Sequence, residues 1–230
     1  MSSILSQVLL ITDSLAFPRA MPEVVSYDET WVAILKRQFR DTDFVHCGRG
    51  GATIRELFQH SAYYHTTIQP ALVLIQSGIV DCAPRALTLI EQQILQRVPL
   101  VGSPLTALAR RHAPSLRRWR RISFTPLPTF KEYADRFDRT FGNVYWIGIL
   151  PANPNYEIRV EGISEAILKY NAQLQNRRFI ATDEFDHGDV MSDFHHLSAA
   201  GHRRLAAKLA EVIKRDAHAG ATKPYPRAAA

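Results

Sequence analysis

The sequence predicts an α/β fold in which a parallel β-sheet is covered by helices on both faces. Three observations carry this. Short branched apolar runs, VLLIT at 8–12, LVLIQ at 72–76 and VYWIGIL at 144–150, have no polar face and read as strands buried on both sides. Amphipathic stretches separate them, the alternation expected of strand–helix–strand crossovers. The chain has 230 residues, 46% hydrophobic and 22% charged. That suits one globular domain burying roughly 70% of its unfolded surface, with no need of a disulfide or structural metal. Disordered, collagen-like and coiled-coil proteins are excluded. Two cysteines, Cys47 and Cys82, are too few for a secreted disulfide scaffold.

Taken in order, Val8–Thr12 is the first strand, ending in Asp13-Ser14. Tyr27–Phe39 has Trp31, Ile34, Leu35 and Phe39 at helical spacing, with Asp28 as its expected N-cap. Phe44–His46 is a short second strand stopped by GRGG. Thr53–His60 reads as a helix opened by a capping box of Thr53 and Glu56. Leu72–Gln76 is the third strand, stopped by Ser77-Gly78, and Arg85–Val98 is helical by pattern. Val144–Leu150 is the fourth strand, followed by the turn-rich PANPN. Ser164–Asn176 is a helix with Ile167, Leu168, Asn171 and Leu174 on one side. Phe179–Ala181 is a short fifth strand, and Ser198–Arg215 the last, amphipathic helix. Residues 1–220 are thus one domain. Within it, 99–142, arginine-rich and broken by Pro104, Pro114, Pro126 and Pro128, is expected as an insertion or edge segment, helical over Phe130–Phe141. Phe124, Phe130, Tyr133 and Phe137 are expected to pack rather than to form a binding platform. The tail 221–230 is expected to fray.

The net charge of +6 is a local feature. Arg110–Arg121 (RRHAPSLRRWRR) holds six arginines and no acid, and outside it 22 basic residues face 22 acidic ones. The stretch reads either as a solvated helix face or as a contact for an anionic partner, with Trp119 free to stack on a sugar or base. No nucleic-acid-binding motif accompanies it, so nucleic acid is not the expected partner. No apolar run reaches transmembrane length, and the N-terminus lacks the basic and small-residue marks of a signal peptide. The expected location is cytoplasmic.

In an open parallel sheet, ligands collect at the carboxyl ends of the strands. Three such ends carry suggestive residues: Asp13-Ser14, then Gly48-Arg49-Gly50-Gly51, then Gly78-Ile79-Val80-Asp81. Just before the last helix lies Asp193-Phe194-His195-His196-Leu197. A serine hydroxyl becomes a nucleophile only when a base takes its proton, and that base needs a third group to hold its tautomer. Asp193 and His196, three apart, have the spacing for a carboxylate to bond imidazole Nδ1 and leave Nε2 for Ser14. Glycines at the second and third strand ends allow backbone N–H groups to approach a developing oxyanion. Read apart from one another, Ser14 is a helix N-cap, and Asp193 and His196 cap the last helix. Asp183–His196 is rich in acids and histidines but holds no HxH or HExxH pattern, so no metal site and no cofactor are expected. Cys82 reads as a small buried apolar residue.

Together these residues resemble the GDSL, or SGNH, hydrolases. VLLITDSLAF looks like the family's first block, GRGGATIREL its second, SGIVD its third and DFHHLSAAGHRRLA its last, in the family's order. KYNAQL is similar to the helix that precedes the last block. The resemblance implies a three-layer α/β/α sandwich on a flavodoxin-like sheet of about five parallel strands, and cleavage of acyl esters of sugars, lipids or small alcohols. It implies Ser14 as nucleophile, His196 as general base and acid, and Asp193 as the orienting carboxylate. Ser14 and Gly51 would be oxyanion donors, and Asp13, Gly78, Asp81, Arg85 and Asn153 would face substrate. Two positions depart from the family. Thr12 stands where GDSL has glycine. Val80 stands where the third block has asparagine, a side-chain oxyanion donor whose loss costs about 100- to 1,000-fold in rate. Gln76, Asn153 and Arg85 are the candidate substitutes. The departure keeps open a second reading, a catalytically weakened hydrolase-like protein that binds an anionic glycan or nucleotide-sugar.

Overall fold

The computed structural model describes residues 7–97, 107 and 111–220. The tail expected to fray, 221–230, and most of 98–110 lie outside the described residues. Five strands form one sheet: β1 (Gln7–Thr12), β2 (Asp43–Gly48), β3 (Leu72–Gln76), β4 (Val144–Ile147) and β5 (Phe179–Ile180). All pair in parallel, in the order β2-β1-β3-β4-β5. This is the flavodoxin-like doubly wound order, with its switch point between β1 and β3. The runs read as strands are buried as their composition demands: Val8–Ile11 and Leu72–Ile75 are fully shielded.

The helices are α1 (Trp31–Gln38), α2 (Ile54–Ser61), α3 (Tyr64–Thr67), α4 (Ile79–Cys82), α5 (Leu89–Arg97), α6 (Ala113–Arg120), α7 (Leu127–Phe141), α8 (Pro154–Arg159), α9 (Ile163–Leu174) and α10 (Ala199–Gly220). α1 packs on α10 in one layer, while α2, α7 and α9 pack together in the other. The capping box of Thr53 and Glu56 is present: the Glu56 carboxylate accepts from Thr53 N–H at 2.9 Å, and Thr53 Oγ1 accepts from Glu56 N–H at 3.4 Å.

Several local expectations are corrected. Asp28 does not cap α1. It lies in a 3₁₀ turn, Tyr27–Glu29, and pairs with Arg37, while Thr30 caps the helix. The helix expected from Arg85 begins at Leu89, because Arg85 is extended and pairs with Ile122. PANPN is not only a turn, since Asn153 caps α8. Leu168 is 68% exposed, and α9 buries Ile163, Ile167, Tyr170, Asn171 and Leu174 instead. In the segment 99–142, α7 is the crossover helix between β3 and β4, with Phe130, Ala134 and Phe137 fully buried. Its prolines fall ahead of or in the first helical turn, where a missing N–H costs nothing.

Candidate active site

Ser14 opens a 3₁₀ turn, Ser14–Ala16, directly after β1. Asp13 fixes the turn by accepting Leu15 N–H on Oδ1 at 3.0 Å. The second strand end is tied alongside by Arg49 N–H donating to Thr12 O at 2.9 Å. A Cβ on Gly50 would come within 4.0 Å of Ser14 Cβ, so this loop lies against the hydroxyl. Gly51 has φ +67°, a left-handed turn that glycine adopts without strain. The N–H groups of Ser14, Gly50 and Gly51 have no acceptor among the described residues. Such free amides at strand ends are a means of binding negative charge.

His196 arrives from the loop between β5 and α10, 182 residues from Ser14 in sequence, with Ser14 Oγ and His196 Nε2 3.1 Å apart. On the other side of the ring, His196 Nδ1 lies 2.6 Å from Asp193 Oδ2. Asp193 Oδ1 also accepts the backbone N–H of His195 at 3.2 Å and of His196 at 3.0 Å. This wrap is possible because Phe194 turns through φ +75°, a conformation that costs a non-glycine residue energy and is held by its surroundings. Burial pushes the Asp193 carboxyl up, but hydrogen bonds from the His196 ring and backbone, with the neighbouring imidazoles, outweigh it and hold the group well below the usual carboxylate range. A carboxylate ionised there keeps the Nδ1 proton on His196 and leaves Nε2 as the acceptor. His195 stacks on Tyr156 at 5.9 Å, and burial pushes its pKa down.

The other expected substrate residues are occupied within the fold. Asp13 is fully buried, and burial raises its pKa to about 7 against the pull of Leu15 N–H. Asp81 accepts Ile54 N–H at 3.0 Å and Thr125 Oγ1–H at 2.5 Å, so it clamps the start of α2. Burial raises it to about 6. Gly78 has φ +128°, and a Cβ there would collide with Ile149 at 2.5 Å. Arg85 donates to Val80 O at 3.3 Å and lies over the Phe124 ring. Asn153 Oδ1 accepts Tyr156 N–H at 2.8 Å. Gln76 Oε1 accepts from Trp31 Nε1 at 3.2 Å. None of the three candidate substitutes for the missing asparagine hydrogen-bonds to Ser14 or His196. Thr12, in the family's glycine position, hydrogen-bonds His46 at 2.8 Å; burial lowers that imidazole to about 4 and keeps it neutral.

One residue that sequence reasoning passed over does reach the pair. Arg19 Nη2 contacts His196 Nε2, brought back by a strap in which Arg19 and Val25 exchange backbone hydrogen bonds of 2.8 Å. Nothing in AFPRAMPE marked it, beyond a cation five residues after the serine. A narrow apolar slot lined by Leu15, Ile79, Ile149, Leu150, Tyr156, Phe194 and His195 adjoins the site. Asp193, His195 and His196 are the one group of three potential metal ligands among the described residues, and two of them already hydrogen-bond each other. In the arginine stretch, Arg117 donates to Arg159 O, Arg118 pairs with Glu161 and Arg120 with Glu91; Trp119 is 81% exposed.

No family model matches the chain, and no curated protein matches it. Solved structures do. A lipase/acylhydrolase from Enterococcus faecalis is 17% identical, covering 96% of this chain and 100% of its own, with a TM-score of 0.64. A member of the lipolytic G-D-S-L family from Veillonella parvula is 14% identical, covering 91% and 99%, with a TM-score of 0.58. The chain has the fold of the GDSL/SGNH hydrolases. A mutant of Axe2, an acetyl-xylooligosaccharide esterase from Geobacillus Stearmophilus, shares this GDSL-type fold at 16% identity, covering 92% and 96%, with a TM-score of 0.57. At such identities the likeness is one of fold. Among the described residues, no helix is long and apolar enough to cross a membrane.

Proposed function

We propose that the protein is a serine-dependent esterase or acyl transferase of the GDSL/SGNH type, acting on an acylated polar substrate such as a carbohydrate ester. The observation that carries this is the relay from Ser14 Oγ through the His196 ring to Asp193, with contacts of 3.1 and 2.6 Å. In this reading His196 Nε2 takes the Ser14 proton as Oγ attacks the ester carbonyl, and Asp193 stabilises the imidazolium. The N–H groups of Ser14 and Gly51 receive the oxyanion, with Gly50 beside them. The imidazolium then protonates the departing alcohol. Water or an acceptor hydroxyl, deprotonated by the same nitrogen, releases the acyl group. The apolar lining of the adjoining slot suits the acyl half of an ester. The acetyl-xylooligosaccharide esterase among the proteins of like fold supports a carbohydrate ester.

Hydrolysis of p-nitrophenyl acetate, lost in both Ser14→Ala and His196→Ala, is the expected result, and equal turnover by all three proteins would overturn the reading. Val80, which brings no donor to the third strand end, favours one alternative: a weakened hydrolase-like protein that binds an anionic glycan or nucleotide-sugar. A fluorophosphonate separates the two. Labelling of Ser14 supports the enzyme; no labelling, with salt-sensitive ligand binding retained, supports the binder.

A further inference from the structure

The imidazole Nε2 has one lone pair, and two donors approach it. Ser14 Oγ lies 3.1 Å away, and Arg19 Nη2 contacts the same atom. With the Nδ1 proton held by Asp193, Nε2 can accept from only one of them at a time. The guanidinium therefore competes with the hydroxyl whose proton this nitrogen must take. Its own needs are not met where it sits: Arg19 Nε is buried and has no hydrogen-bond partner among the described residues. No carboxylate forms an ion pair with Arg19 among the described residues. Asp193 is paired with His196, and Glu23, on the same strap, accepts Ser192 N–H at 3.2 Å. Asp13 lies close enough to feel its charge but forms no ion pair with it. The strap anchors this cation at both ends, through the Arg19–Val25 backbone pair on the nucleophile side and Glu23 on the His196 loop.

We infer that Arg19 is a specificity-determining residue, selecting esters that carry an anionic group on the alcohol half. The position follows from the route of the proton. Nε2 is the atom that returns a proton to the leaving oxygen, so a cation touching Nε2 beside Ser14 faces the alcohol and not the acyl chain. A carboxylate, sulfate or phosphate on that alcohol gives the guanidinium the bidentate partner it lacks. It also draws Arg19 off Nε2, freeing the lone pair for Ser14. A neutral ester leaves the competition in place.

This inference rests on the esterase reading of the same site, and the experiment separates the two. The probes are 3-acetoxybenzoate and its methyl ester, which share the acetyl group and differ at the leaving phenol by one charge. The wild-type protein is expected to favour the anion in kcat/KM, with a preference that shrinks as sodium chloride is added. Arg19→Met is expected to reduce that preference by about 10- to 100-fold, and Arg19→Lys to keep part of it. A merely structural role for Arg19 would lower both esters by the same factor. Equal use of the two esters by the wild type, or an anion preference untouched in Arg19→Met and Arg19→Lys, overturns the inference and leaves the esterase standing. No cleavage of either ester, with Ser14 unlabelled by a fluorophosphonate, removes both.

Discussion

Two clusters of polar residues stand out along this chain, and the fold treats them in opposite ways. In the arginine stretch two of the charges form ion pairs within the molecule: Arg118 meets Glu161 at 2.7 Å, and Arg120 meets Glu91 at 2.8 Å and Ala86 O at 3.0 Å. The stretch is the denser in charge, yet what its contacts do is tie α6 to α5 and to the α8–α9 turn. At the carboxyl edge of the sheet the groups are fewer, but their demands are left open. Among the described residues, three backbone N–H groups there lack acceptors and two donors compete for one lone pair. Charge density alone therefore does not mark a site. Convergent groups whose hydrogen-bonding capacity is unfilled do, because binding something there recovers a cost already incurred in folding.

The contrast can be broken at several points. The largest effect is expected at the relay. Ser14→Ala and His196→Ala should each lower ester hydrolysis by about a thousandfold or more with the fold intact, measured by p-nitrophenyl acetate turnover beside circular dichroism. Asp193→Asn should keep the geometry and still lose about a hundredfold or more, because an amide no longer holds the Nδ1 proton in place.

Next is a pH effect on stability, centred on Asp13. The native state keeps this proton up to about pH 7, whereas the unfolded chain releases it near 3.8. Between those values the folded form binds the extra proton. The contribution is thus complete below about pH 4 and is lost as pH rises through 7, by at most about 4 kcal/mol. Asp13→Asn, which can still accept Leu15 N–H, should flatten that slope in urea titrations at pH 5 and 8.

A smaller change is expected at the third strand end. Val80→Asn should raise kcat for p-nitrophenyl acetate by about tenfold with little change in KM, by restoring a side-chain donor for the oxyanion. The smallest belongs to the arginine stretch. Arg118→Ala and Arg120→Ala should lower the thermal midpoint slightly and leave kcat/KM within about twofold, since they lie apart from the relay. A large loss of activity there would erase the contrast drawn above.

The strands, the order of the blocks and the Thr53–Glu56 capping box were legible in the residues alone. Each is a local matter of which side chains must avoid water, or of which hydroxyl can reach an N–H three residues on. That Ser14, Asp193 and His196 meet was expected for a related reason: Ser14 follows a buried parallel strand, and the three-residue spacing of Asp193 and His196 lets the carboxylate reach Nδ1. The packing of Phe130, Tyr133 and Phe137 was legible too, whereas the start of α7 was not, because Pro126 and Pro128 read as breaks and in fact precede or open the helix. Leu168 misled because helical spacing places several residues near one side, and only packing decides which of them is covered.

What closure of the chain alone decided is the company each side chain keeps. Asp81, Arg85, Asn153 and Gln76 have the chemistry of binding residues, and the fold uses their contacts to hold backbone and neighbouring side chains in place. Arg19 has no such mark in sequence, and a strap paired at Val25 lays it on an imidazole 177 residues away. Local chemistry is written along the chain. Distances across it depend on how sheet, turns and helices pack, and those distances determine which donor meets which acceptor.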